Sequence, residues 1–69
     1  RYFVVGNADG TVRILDESLT VTGVYSTGSG KIHALHADTA TNGAFYVTTE
    51  KALYRLSFSP LGLRKSRHY

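Results

Sequence analysis

The chain has 69 residues and no cysteine, so disulfides cannot supplement the small core that a chain of this size can bury. Hydrophobic residues make up 42% of it, a share that excludes compositional disorder. The net charge of +3 arises after residue 50, because residues 1 to 50 contain all 5 acidic side chains but a minority of the basic ones. No apolar run reaches the roughly 18 residues of a membrane span, which excludes such a segment.

The first two predicted strands join at a tight turn. Residues 2–8 form a β-rich apolar run that ends at Asp9-Gly10, a pair among the strongest short-range signals for a hairpin. The return strand is predicted over residues 11–16. We therefore predict that Asp9, Gly10 and Asp16 are structural turn residues.

A third strand is predicted over residues 19–26, where apolar residues alternate with threonines. Strict alternation would place Val21 and Tyr25 on one face and Val24 on the other. The next four residues, 27–30, are rich in glycine and serine and predict a linker.

The second half of the chain repeats this organisation. A strand is predicted over residues 31–37, with Ile32 and Leu35 on opposite faces, and a loop over residues 38–43 follows it. Two further strands are predicted, and Pro60 and Gly62 then interrupt the strand pattern. Residues 59–69 are predicted to be either a basic loop or the start of a fourth strand, beginning at Leu61. The two further strands cover residues 44–49 and 53–58 and form a second predicted hairpin.

The two halves are related by an internal repeat of about 42 residues, the length of a propeller blade. Phe3, Val5 and Arg13 recur as Phe45, Val47 and Arg55, and the apolar positions Val12 and Ile14 are answered by Tyr54 and Leu56. Both Phe3 and Phe45 are therefore predicted to lie in the core. The predicted fold class is all-β, with antiparallel four-stranded propeller blades that form a partial set within a larger ring. Residues 1–26 would be the later strands of one blade, residues 27–30 the linker between blades, and residues 31–58 the first three strands of the next.

One segment carries a family resemblance. Residues 5–16 resemble the second and third strands of a WD-repeat blade, where an Asp-Gly turn precedes an alternating strand that ends in Trp-Asp. Asp16 matches the Asp of that pair, Leu15 stands where the family has Trp, and no Gly-His precedes the strand that begins at Lys31. The resemblance implies a ring of blades that serves as a platform for binding proteins.

Motifs for chemistry are weak in this sequence. Gly28-Ser29-Gly30-Lys31 lacks the spacing of a phosphate loop and precedes a strand rather than a helix. His33 and His36 lie three residues apart on a predicted strand, which directs them to opposite faces and away from a shared metal ion. The sequence therefore predicts no catalytic residue, no metal site and no cofactor.

The basic residues near the end of the chain are candidate contacts for partners. Short clusters of this kind are more often solvated loops, although they can attract phosphates or acidic protein surfaces. Nucleic-acid binding is therefore the less favoured alternative. The candidate partner-contact residues are Lys31, His33, Arg64, Lys65 and Arg67.

The leading functional hypothesis is a non-catalytic scaffold for protein interactions, part of a propeller subunit in a multiprotein assembly. Its expected partners are other blades of the same protein and other protein subunits. The alternative is a segment of a propeller enzyme or ligand-binding protein whose site lies outside this chain. The chain does not begin with methionine, so we expect Arg1 not to be the natural start, and we expect the isolated segment to be unfolded or aggregated. The absence of cysteine favours an intracellular location, cytoplasmic or nuclear.

Overall fold

The computed structural model describes residues 2–59 and 62–69, and these residues form an all-β fold of antiparallel strands in two sheets. The first sheet has three strands in the order β1-β2-β3, and the second has four in the order β4-β5-β6-β7. The predictions that concern Arg1, Pro60 and Leu61 lie outside the described residues. The strands are β1 Phe3–Gly6, β2 Thr11–Leu15, β3 Val21–Ser26, β4 Ile32–Ala37, β5 Ala44–Thr49, β6 Leu53–Ser59 and β7 Gly62–His68.

The two sheets bury one shared core between them. Val12 and Ile14 of β2 have no exposed surface, and neither have Val47 of β5 and Leu56 of β6. The apolar positions that recur between β2 and β6 are therefore the ones that face the core. The sheets also touch near their edges, because β1 contacts β4 and β3 contacts β7. Phe45 and Tyr54 complete the buried cluster.

The end of the chain forms a strand rather than a loop. β7 pairs antiparallel with β6, and Leu63 lies opposite Phe58. Leu63 also packs against the core, which gives this basic segment an apolar anchor. The described residues include no helix long and apolar enough to cross a membrane.

The prediction that Phe3 lies in the core is wrong, because the two hairpins differ in register. In the second hairpin Phe45 lies opposite Leu56, whereas in the first hairpin Phe3 lies opposite Leu15. This shift of one residue turns Phe3 to the outer face, where it is 46% exposed, whereas Phe45 is 4% exposed.

Loop length causes this difference in register. The Thr49 N–H donates to the carbonyl of Ala52, so the second hairpin has a two-residue loop. The Asn7 N–H donates to the carbonyl of Thr11, so the first has a three-residue loop that ends at Gly10 with φ of +86°. Three-residue loops of this kind place a residue in the left-handed region at the last position, which glycine adopts most easily.

Bulges account for the other two differences from strict alternation. On β3, Leu15 pairs with Val21 while Ile14 pairs with Gly23, so Thr22 is an extra residue. Val21 therefore lies on the outer face although Tyr25, four residues later, packs against the core.

The same effect corrects the predicted faces of β4. Ile32 pairs with Thr49 and Ala34 pairs with Thr48, so His33 is the extra residue. Ile32 and Leu35 consequently both pack against the core rather than pointing to opposite faces. Because a bulge reverses the inside and outside positions beyond it, the sequence period alone could not place these side chains.

The connection between the sheets is held on both sides. The Thr27 N–H and hydroxyl both donate to the carbonyl of Gly10, at 3.0 Å and 2.8 Å. Ser29 is buried, and its hydroxyl hydrogen bonds to the hydroxyl of Tyr54 in the second sheet. The Lys31 N–H donates to a carboxylate oxygen of Glu50 at 3.0 Å. The connection therefore ties the turn between β1 and β2 in the first sheet to β6 in the second sheet.

Candidate interaction surface on the three-stranded sheet

Asp9 and Gly10 both act in the first hairpin turn. The Thr11 N–H and hydroxyl donate to Asp9 Oδ1 at 3.0 Å and 2.6 Å, which closes the loop from the side chain. A side chain at Gly10 would meet the Gly30 carbonyl oxygen, since an ideal Cβ there lies 2.8 Å from it. Gly10 thus allows the linker to approach the turn.

Asp16 organises the second turn in a similar way. Its Oδ1 accepts hydrogen bonds from the N–H groups of Ser18 and Thr20, at 2.9 Å and 3.0 Å. Leu19 takes the position that Gly10 occupies in the first loop, with φ of +65°. The sequence offered no sign of this conformation, because leucine rarely adopts it.

The hydrogen bonds from Thr11 lower the pKa of Asp9 below its ordinary value, with a smaller contribution from the charge of Arg13. The folded state therefore favours the carboxylate, so this contribution to stability is present above the ordinary pKa and is lost as the pH falls through the folded value. We expect Asp9→Asn to reduce the loss of stability on acidification below about pH 4. Denaturant unfolding of the two proteins from pH 6 to pH 2 tests this. Parallel curves that differ by a constant amount would contradict it.

The structure does not bring the five candidate partner-contact residues together. Lys31 and His33 are exposed near the start of β4, whereas Arg64, Lys65 and Arg67 are exposed on β7. β4 and β7 are the two opposite edges of the four-stranded sheet. These residues therefore form two separate groups rather than one basic surface.

The three cations of β7 are themselves divided between two faces. Lys65 lies opposite the buried Leu56, and its Nζ is 5.9 Å from the centre of the Tyr54 ring, on the core side. Arg67 lies opposite Arg55 on the outer face, and its guanidinium is 5.6 Å from the centre of the Tyr69 ring. This arrangement does not form the continuous basic stripe that tracks a nucleic-acid backbone.

The outer face of the four-stranded sheet carries a network of paired polar groups around Arg55. The Arg55 guanidinium contacts Asp38 Oδ2 through Nε at 3.2 Å and through Nη2 at 3.1 Å. Its Nη1 donates to the hydroxyl of Ser66 at 2.9 Å, which links β6 to β7. Since Asp38 and Arg55 side chains are 14% and 21% exposed, this pair is partly shielded from water and holds the loop after β4 against β6.

The outer face of the three-stranded sheet is apolar instead. Rows of paired residues run across it, with Phe3 opposite Leu15 and Leu15 opposite Val21. A second row joins Val5, Arg13 and Val24. We call this surface the outer apolar face; its members are Phe3, Val5, Leu15, Val21 and Val24, and Phe3, Val5, Val21 and Val24 are 40 to 52% exposed.

Arg13 is the only charged residue in these two rows, and its side chain points toward the turn between β1 and β2. Arg13 Nη1 donates to the hydroxyl of Thr11 at 2.9 Å, and that hydroxyl donates to Asp9. The guanidinium is thereby directed along the strand, and the aliphatic side chains beside it remain exposed. Exposed apolar side chains grouped in this way make the face a candidate site of association.

Sequence reasoning missed the outer apolar face because the repeat assigned Phe3 to the core. Within residues 2–59 and 62–69, no group of three histidine, aspartate or glutamate side chains is placed to hold a metal ion. Comparisons with protein-family models, with curated proteins and with solved structures found no match to this chain.

Proposed function

We propose that this chain is a segment of a WD-repeat-like β-propeller that acts as a non-catalytic scaffold, and that its outer apolar face packs against a further sheet. The observation that carries the proposal is the exposure of aliphatic and aromatic side chains on adjacent rows of one sheet face. Burying the exposed half of one such side chain contributes roughly 1 kcal/mol, since full burial of an exposed one contributes roughly 1.5–3 kcal/mol. A surface with several of them is therefore a favourable place for another apolar sheet to pack.

The packing of the two sheets within the chain supports the proposal. Each sheet has its strands in sequence order, and the two stack face to face through side chains from the central strands. The internal repeat relates the β2 and β6 residues that form this interface. A third sheet that packs on the outer apolar face would extend the same stacking by one layer, as neighbouring blades do in a propeller.

The contrast between the two outer faces supports a single docking direction. Arg55, Asp38 and Ser66 satisfy one another on the four-stranded sheet, whereas Val21 and Val24 on the three-stranded sheet lack such partners. Burial of the first face would remove this paired ionic network from water, which costs desolvation free energy. Burial of the second face removes exposed hydrocarbon from water, which is the main favourable term in association.

The proposal predicts that the isolated chain associates with itself through this face. Since the two sheets share a buried core, we expect folded chains that aggregate rather than unfolded ones. Val24→Lys, at a residue 52% exposed, should shift the association to concentrations about tenfold higher or more. Sedimentation velocity over a range of protein concentrations measures this shift.

Thr39→Lys is the matched control, because it adds the same charge at an exposed position in the loop after β4. We expect Thr39→Lys to associate as the unmodified chain does. An unmodified chain that stays monomeric at all concentrations and melts cooperatively would refute the proposal. An equal effect of both lysines would attribute the association to net charge instead of the outer apolar face.

A further inference from the structure

An open cleft separates the free edge of β1 from the four-stranded sheet. Its volume is about 280 Å³, below the roughly 300–1,000 Å³ of small-molecule sites. β1 and β4 converge at one end of the cleft, where the Ile32 N–H donates to the carbonyl of Asn7 at 3.2 Å. They diverge toward the other end, and this divergence opens the cleft. It is lined mainly by Tyr2, Val4, Leu35, His36, Ala37 and Phe45.

The backbone along this side of β1 is available for pairing. The Asn7 N–H bonds to Thr11 on β2, and in an antiparallel ladder every second residue faces the same neighbour. Phe3 and Val5 therefore direct their N–H and C=O groups to β2, whereas Tyr2 and Val4 direct theirs to the open side. β1 is the last strand of its sheet, so this side presents an unfilled ladder.

The cleft continues the interface that joins the two sheets. Phe45 belongs to the buried core and also lines the cleft, and Tyr2, Val4 and Leu35 pack against that core from the cleft side. A strand paired with β1 would direct the side chains opposite Tyr2 and Val4 toward Leu35 and Phe45, because directly opposed residues share a face. His36 is the only titratable side chain, other than the Tyr2 phenol, in this lining. The inserted side chains should therefore be small, apolar and uncharged.

The repeat indicates what kind of strand fits. β5 corresponds to β1, and on its other side β5 pairs with β4, whereas β1 has no such neighbour among the described residues. The four-stranded sheet thus has one strand more than the three-stranded sheet at the edge beside the cleft. We propose that the β1 edge and this cleft bind an extended strand of a partner polypeptide, with apolar side chains at alternate positions as in β4. This recognition by strand addition does not require the outer apolar face.

An acetylated and amidated peptide with the sequence of residues 31–38 is a suitable probe. The protein would carry Val24→Lys, so that association through the outer apolar face does not interfere. We expect saturable binding by fluorescence anisotropy, together with slower hydrogen exchange at the Val4 amide. Exchange at the Phe3 amide, already in the ladder with β2, should change little.

Two exposed residues provide the test variants. Ala37→Glu places a charge in the lining of the cleft and should weaken peptide binding about tenfold or more, while Thr39→Glu adds the same charge beyond the end of β4 and should not. Absence of binding, or equal weakening by both variants, would overturn the inference. Slower hydrogen exchange in β5 without a change at the Val4 amide would show that the peptide replaces β4 in the four-stranded sheet. That result would also overturn the inference. If the chain without Val24→Lys proves monomeric, the proposed function fails while this assay remains interpretable.

Discussion

Ile14→Ala is expected to lower the free energy of unfolding by about 2–5 kcal/mol. Ile14 has no exposed surface and is the largest of the fully buried side chains. A folded chain of this length has a total stability of only about 3–10 kcal/mol. The variant should therefore lose a large share of this total and unfold at a much lower denaturant concentration than the unmodified chain.

Leu15→Ala is the matched control, since Leu15 follows Ile14 on the same strand and lies on the outer apolar face. We expect it to cost less than half as much, because its side chain is only partly buried. Denaturant unfolding, with Val24→Lys present in every protein to limit association, compares the two. Equal losses would mean that the sheets do not share the core described above.

Gly10→Ala is expected to cost about 2–3 kcal/mol. Two effects combine at this position: φ is +86°, and an added Cβ would lie 2.8 Å from the Gly30 carbonyl oxygen. That oxygen belongs to the backbone, so relief requires the linker to move away from the turn. The movement would strain the hydrogen bonds between Thr27 and Gly10.

Gly28→Ala separates these two effects. Gly28 also has a positive φ, +66°, but nothing lies within 4 Å of an added Cβ. We expect it to cost about 1 kcal/mol through backbone strain alone. The two variants are compared by thermal or denaturant unfolding. The difference in their loss of stability estimates the free-energy cost of the contact between an added Cβ at position 10 and the Gly30 carbonyl oxygen. If both lose the same stability, the linker is not packed against the turn as described.

The strands themselves could be predicted from the residues. β5 begins and ends where the alternation indicated, at Ala44 and Thr49, and the other predicted strands overlap the observed ones. The inward faces of β2 and β6 were also predictable, because neither strand contains a bulge between its buried positions. Short-range patterns suffice there, since the period of a regular strand links each residue directly to a face.

The candidate surface could not be predicted in the same way. Asp9-Gly10 was interpreted as a two-residue turn, and the actual loop of three residues changes the pairing of β1 by one position. This single change moves Phe3 from the expected core to the outer apolar face, where Val5 also lies. The linker contributes to the choice, because Thr27 bonds to the carbonyl of Gly10 from a distant part of the chain.

The sequence by itself determined that this chain is all-β, where β1 to β6 lie and which side chains of β2 and β6 are buried. Tertiary structure decided which face β1 presents, where bulges at Thr22 and His33 reverse the alternation, and that the basic end forms β7. The physical reason is that strand periodicity is local, whereas register and bulges depend on contacts between residues far apart in the chain. A shift of one residue costs little locally but exchanges every inward side chain for an outward one.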